Sequence, residues 1–290
     1  MSKMITMTSA LLDLLNELDG TKVPLLIGGG YGIYLRYMMI MEERRQTLFK
    51  ELPEPRSTND LDLFLRAELL LNSEQLRPLR DAMTKLGYEV VKGGEHYQFL
   101  RPGPNGDTER GIKIDVLTGP TSPFKGTQVQ FDKRRVRPRP SVDLHAHPCE
   151  EALTLTENTT TRVVRGKLSN GKDYVGQVLL PHPFTFLTMK LFALRDRLND
   201  AEKDFGRHHA LDLYTVIGTM AEKDWDESLR LRERHQKDTI LIESSRIVGD
   251  LFASLDSMGT IRLRESAYYR PDFRINDFIG ALEELFAGKP

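Results

Sequence analysis

Asp60-Leu61-Asp62-Leu63-Phe64-Leu65 decides how this chain is read, because it alternates acid with leucine and then turns wholly apolar. Side chains of an extended strand alternate between two faces. Asp60 and Asp62 therefore share one face, and Leu61 and Leu63 share the other. Two carboxylates side by side repel, and a divalent cation in a cleft relieves that repulsion. Carboxylate oxygens are hard ligands, which points to magnesium or manganese. The bland alternative is an exposed edge strand with solvated acids. The apolar continuation and the preceding Arg56-Ser57-Thr58 weigh against it.

Upstream, an apolar strand over residues 23–27 runs into Gly28-Gly29-Gly30 and then a helix expected to reach about residue 49. A strand that opens a helix through glycines exposes backbone N–H groups to a phosphate. A tight turn that only glycine can make explains the same residues. No Gly-Lys-Ser/Thr follows, so this is not a Walker loop. Pro53 and Pro55 force a loop before Asp60. Downstream, a helix over 73–86 capped by Ser73 and strands over 88–91, 96–101 and 112–117 are expected. Asn170-Gly171 marks a hairpin between 163–168 and 174–180. From Pro181 the pattern turns helical, over 183–198, 203–221, 224–254 and 272–287. The expected fold is α+β: a mixed sheet with flanking helices over 1–180, then a helical C-terminal domain over 181–290.

Asp115 lies mid-strand in Ile112-Lys113-Ile114-Asp115-Val116-Leu117, where a lone carboxylate is costly to bury. If that strand neighbours the Asp60 strand, three carboxylates converge. Such a trio can hold two magnesium ions roughly 3.5–4 Å apart, the arrangement used in phosphoryl transfer. In the helical part, Leu187, Leu191, Leu194 and Leu198 mark an inward stripe, and Lys190 and Arg197 border it. Lys190 could hold a triphosphate and Arg197 could pair with it or with a carboxylate; the bland alternative is a pair of snorkelling surface cations. Asp212 falls on the buried side of the next helix, with His209, Leu213, Val216 and Met220, and needs a cationic partner such as Lys190 or Arg197. His208 and His209 are consecutive and are expected on different sides of their helix.

The 290 residues carry 41 Lys and Arg against 42 Asp and Glu, so nucleic-acid binding would need a local patch. Lys133-Arg134-Arg135-Val136-Arg137-Pro138-Arg139 is one such patch. Cys149 is the only cysteine, which excludes an intrachain disulfide and favours a reducing, cytoplasmic location. Residues 1–10 lack a signal-peptide core, and no run is apolar enough to span a membrane. His145-Ala146-His147 with Glu150 offers a zinc reading, but no further ligand stands at a suitable spacing.

Taken together, Gly28 and Gly29, the Arg56-x-Thr58-x-Asp60-x-Asp62 run, Asp115, Lys190-x-x-Ala193-x-x-x-Arg197 and Asp212-Leu213-Tyr214 resemble the polymerase-beta-like nucleotidyltransferase superfamily. The branch most similar is the AbiEii type, bacterial abortive-infection and toxin–antitoxin nucleotidyltransferases. The resemblance implies Asp60, Asp62 and Asp115 as magnesium (or manganese) ligands. It implies Gly28, Gly29, Gly30, Arg56, Thr58, Lys190 and Arg197 at the nucleotide, and Lys190 and Asp212 in the active site. The serine common after the superfamily's glycine is absent here. Arg207-His208-His209 stands where an Arg-Asp step is expected.

The implied activity moves a nucleoside monophosphate from a nucleoside triphosphate to a hydroxyl. The candidate acceptors are an RNA 3′ end such as that of tRNA, held through residues 133–139, a protein hydroxyl or a small molecule. A toxin role would bring a cognate antitoxin as partner. The rival is an inactive nucleotide- or partner-binding module on the same fold. Three clustered acids weigh against it, since a dead site gains nothing from like charges.

Overall fold

The computed structural model describes residues 2–52, 55–56, 58–94 and 96–288. Pro53 and Ser57, used above, lie outside the described residues. The chain divides into two compact units. One comprises Met1–Gly32, Ser57–Glu150 and Thr156–Pro181; the other comprises Ile33–Arg56, Glu151–Leu155 and His182–Pro290. The helical unit therefore takes residues 33–56 in addition to the C-terminal helices. Among the described residues no helix is long and apolar enough to cross a membrane.

Among the described residues, the first unit is built on a mixed eight-stranded sheet. Its strands are β1 (Leu26–Ile27), β2 (Asp60–Leu65), β3 (Glu89–Val90), β4 (Gln98–Arg101) and β5 (Ile112–Thr118). A separate two-stranded ribbon follows, β6 (Gln130–Phe131) with β7 (Val136–Arg137). Then β8 (His147–Pro148), β9 (Thr160–Lys167) and β10 (Asp173–Leu180) complete the main sheet. The order is β3-β4-β5-β2-β1-β10-β9, with β8 also paired to β5. β2 and β5 run parallel, whereas β4 is antiparallel to β5 and β1 to β2. The Asn170-Gly171 hairpin forms as expected, pairing β9 with β10 from Asp173↔Lys167 to Leu180↔Thr160.

Helix α1 (Ser2–Glu17) packs on β9 and β10. Its Leu11, Leu12 and Leu14 are fully buried. Helix α2 (Gly29–Glu43) ends well before residue 49, and Ile33 onward belongs to the second unit. Helices α3 (Ala67–Leu71) and α4 (Arg77–Lys85) flank a 3-10 turn, Ser73–Leu76. The single helix expected over 73–86 is thus split. Ser73 is buried within the turn instead of capping it.

β5 alternates strictly: Ile112, Ile114, Val116 and Thr118 are buried, while Lys113, Asp115 and Leu117 are half-buried. One face of the strand thus joins the core and the other stays accessible. That is the signature of a sheet covered on one side.

The helical unit holds α5 (Pro183–Arg197), α6 (Arg207–Gly218), α7 (Glu222–His235), α8 (Thr239–Phe252), α9 (Met258–Arg264) and α10 (Ile275–Leu282). Proline at the first position of α5 needs no N–H partner there, and the His182 ring accepts from the Phe184 N–H at 3.3 Å. The periodicity over 224–254 conceals a break. Asp238 accepts from the Ile240 N–H at 2.8 Å and starts α8 as a new helix. The core closes on aromatic rings. Tyr214 stacks on Phe273 with centroids 4.2 Å apart, and Phe278 meets Phe252 edge-on at 5.5 Å. Each such pair adds about 0.5–1.5 kcal/mol beyond burial. The Tyr214 hydroxyl also accepts from the Arg274 N–H at 2.9 Å.

Candidate active site

Strand register assembles the acids. β2 and β5 pair residue for residue, with Asp62 opposite Asp115, Asp60 opposite Lys113 and Leu61 opposite Ile114. Residues opposite one another in a sheet share a face. Asp60, Asp62, Lys113 and Asp115 therefore line one face, and β4 places Gln98 beside Asp115 on it. Asp60 is exposed; Asp62 and Asp115 are half-buried. The Lys113 ammonium lies 3.1 Å from Asp115 Oδ2, and the Gln98 side-chain amide donates to Oδ1 at 3.0 Å. Burial pushes the Asp115 carboxyl above its ordinary range. Lys113 and Gln98 pull it down, the Asp60 charge pushes it up, and the net effect remains upward.

Three carboxylate oxygen donors of like charge on one face form a hard, anionic donor set, the chemistry suited to magnesium or manganese. Asp60 and Asp62 are the pair placed to hold such an ion. Among the described residues, however, no three His, Cys, Asp or Glu side chains are gathered tightly enough to grip an ion together. Asp115 is instead engaged by Lys113.

The glycines fit tightly over this face. A Cβ on Gly29, whose φ is +58°, would fall 1.5 Å from Asp62 Oδ2. One on Gly28 would fall 2.4 Å from the Phe64 ring. The Gly28 N–H donates to the Asp62 carbonyl at 2.9 Å. Close approach to β2 is therefore sufficient reason for glycine at both positions. Gly30 is buried within the first turn of α2, which opens directly beside the acids. Thr58 is buried, and its hydroxyl accepts from the Asp60 N–H at 3.1 Å, fixing the start of β2.

The helical unit holds a second charged cluster. Lys190 and Asp212 form a buried ion pair at 2.6 Å. The Arg56 guanidinium also reaches Asp212, from Nε to Oδ1 at 3.2 Å and from Nη2 to Oδ2 at 3.3 Å. Burial opposes the Asp212 charge, but Lys190 and Arg56 outweigh it and hold the carboxyl below its ordinary range. Arg197 does not share Asp212; its Nη1 contacts His209 Nε2. A guanidinium can only donate, so Nε2 accepts and Nδ1 carries the ring proton. Burial, then the charges of Lys190, His208 and Arg197, hold the His209 pKa far below the usual value. Burial and the Arg56 charge pull His208 to about 4. The two histidine rings do not part to different sides as expected: their centroids are 3.9 Å apart.

The basic run 133–139 forms the turn and second strand of the β6–β7 ribbon. Arg137 pairs with Asp132 at 3.0 Å, and Arg139 donates to Gln130 at 2.6 Å. In the His-x-His segment, His147 Nδ1 meets the Arg134 carbonyl at 2.7 Å, and the Glu150 carboxylate accepts from the Thr121 N–H and hydroxyl.

Sequence reasoning missed three partners. Lys113 was legible, because a Lys-x-Asp spacing within a strand puts both side chains on one face. Gln98 was not, since its position depends on the β4–β5 register. Arg56, read as a nucleotide contact, turns to Asp212, 156 residues away in sequence.

No family model and no curated protein matches the chain. Among solved structures it is similar to the antibiotic-resistance factor ANT(2'')-Ia, with 14% identity over 80% of this chain and 94% of that one and a TM-score of 0.36. It is likewise similar to an antigenic nucleotidyltransferase-like protein from Paracoccidioides brasiliensis, with 15% identity, 81% and 90% coverage and a TM-score of 0.39. At such TM-scores the likeness decides nothing about chemistry, which rests on the carboxylates.

Proposed function

We propose that this chain is a nucleotidyltransferase of the polymerase-beta-like superfamily, AbiEii-type branch. It would transfer a nucleoside monophosphate from a nucleoside triphosphate to a hydroxyl. The observation that supports the reading is the parallel β2–β5 register, which puts Asp60, Asp62 and Asp115 on one accessible face. In this reading Asp115, whose carboxyl is already pushed toward higher pKa, takes the proton of the acceptor hydroxyl. The acceptor oxygen bonds to the α-phosphorus, the bond from that phosphorus to the bridging oxygen breaks, and pyrophosphate leaves. Asp60 and Asp62 would hold magnesium or manganese, which when bound supplies positive charge for the phosphate oxygens. The start of α2 at Gly28, Gly29 and Gly30 is suited to the anionic triphosphate.

For the helical unit, the assignment of Lys190, Arg197, Arg56 and Asp212 to the nucleotide rests on the sequence resemblance. The acceptor assigned first is an RNA 3′ end such as that of tRNA, because residues 132–139 carry five cations against the one carboxylate of Asp132. A protein hydroxyl is the second choice. A toxin role with a cognate antitoxin follows from the branch resemblance alone.

Incubation of the protein with each labelled nucleoside triphosphate, magnesium and either total RNA or the protein itself tests the reading. Label on RNA or protein with release of pyrophosphate is expected, and an Asp60→Ala/Asp62→Ala variant should give neither. Nucleotide binding without pyrophosphate release would instead identify a binding module.

A further inference from the structure

Lys113 sits among the proposed catalytic acids without a role in the reading above. It lies opposite Asp60 across the β2–β5 pairing and two residues before Asp115 on its own strand. Its ammonium is 3.1 Å from Asp115 Oδ2, while Gln98 occupies Oδ1 at 3.0 Å. Both oxygens of Asp115 thus already accept from donors. For Asp115 to ligate a metal ion, Lys113 would have to leave, or an ammonium and a divalent ion would sit side by side and repel. The lack of any three-acid grip among the described residues agrees with this.

We propose that Lys113 is the resident cation of this face: it withholds Asp115 from metal coordination and limits the acids to one divalent ion, held by Asp60 and Asp62. The inference rests on the reading that these two residues bind metal. It assigns separate tasks to acids that the sequence treats as equivalent. Asp60 and Asp62 are ligands, Asp115 is the proton acceptor, and Lys113 with Gln98 positions it.

Titration of the full chain with Mn2+ without nucleotide, followed by electron paramagnetic resonance or calorimetry, tests this. The wild type should bind one ion. Asp60→Asn or Asp62→Asn should weaken binding at least about tenfold, because each removes a carboxylate ligand, and Asp115→Asn should weaken it clearly less than either. Lys113 is one-third exposed, so Lys113→Met should fold. That variant should bind Mn2+ about tenfold tighter or take a second ion. Adding Asp115→Asn to it should abolish the gain, and Lys113→Arg should keep the wild-type pattern. If Asp115→Asn weakens the wild type as much as Asp62→Asn does, or Lys113→Met changes nothing, the Lys113 role is overturned while the metal reading stands. If Asp60→Asn and Asp62→Asn bind as the wild type does, or no form binds Mn2+, both fall.

Discussion

Asp115 in the sheet unit and Asp212 in the helical unit each face a lysine, at 3.1 and 2.6 Å, yet their carboxyls are tuned in opposite directions. Burial alone would predict the reverse, since Asp212 is the more buried of the two. The neighbours decide it. Asp212 has two cations, Lys190 and Arg56, whereas Asp115 has one cation and the like charge of Asp60. Surplus cations hold the Asp212 carboxylate in its charged form, whereas the like charge beside Asp115 favours a proton or a bound cation there.

Acid removal gives the largest expected effect and the sharpest contrast. Asp62→Asn should lower transfer by about a thousandfold, since charge stabilisation at such a site supplies several kcal/mol. Asp115→Asn should lower it by roughly 10²–10⁴. Asp115→Asn should not lower the unfolding midpoint, because that carboxyl is already pushed toward its neutral form. A marked loss of stability would place Asp115 with Asp212 among the groups that folding depends on.

On the other side, Lys190→Met should cost up to about 3 kcal/mol in urea unfolding, because it leaves the buried Asp212 carboxylate with Arg56 as its remaining cation. Lys190→Met with Asp212→Leu should recover much of that loss. Unchanged stability in Lys190→Met would break the contrast, leaving Arg56 sufficient alone.

The buried ring of His182, in the helical unit, supplies the third test. Burial pulls His182 down to about 4, and its Nδ1 must stay unprotonated to accept the Phe184 N–H. Unfolded histidine titrates near 6.5, so the unfolded state gains the proton first as pH falls. Stability should therefore be lost between about pH 6.5 and 4, by an amount on the order of 3 kcal/mol. His182→Asn keeps a capping acceptor and should flatten that window when denaturation is followed across pH. An unchanged pH profile in the variant would remove His182 from the account.

The smallest effect concerns how the glycines support the acids. Gly29→Ala adds an atom against Asp62 at a positive φ, and should cost about 1–3 kcal/mol while displacing that carboxylate. Wild-type stability and transfer in this variant would show that β2 and α2 have room to move apart.

Much of this was legible in the chain. The Asp60–Leu65 strand and the Asn170-Gly171 hairpin came from period and spacing, which also offered Lys190 and Arg197 as partners for Asp212, of which the fold pairs Lys190. The split of residues 224–254 was missed because apolar periodicity runs through the break at Asp238. The early end of α2 was missed because residues 44–49 carry no strong stop signal.

Period two alone determined that Asp60 and Asp62 share a face and that Lys113 and Asp115 share a face, because alternation is a property of an extended backbone. Only the tertiary structure decided that these faces are the same one. That rests on the register between two strands some fifty residues apart, where a slip of one residue would send every Asp115 contact to the other side. The choice of Arg56 for Asp212 was likewise tertiary. A buried carboxylate takes whichever cation the folded chain delivers, and sequence distance carries no information about that.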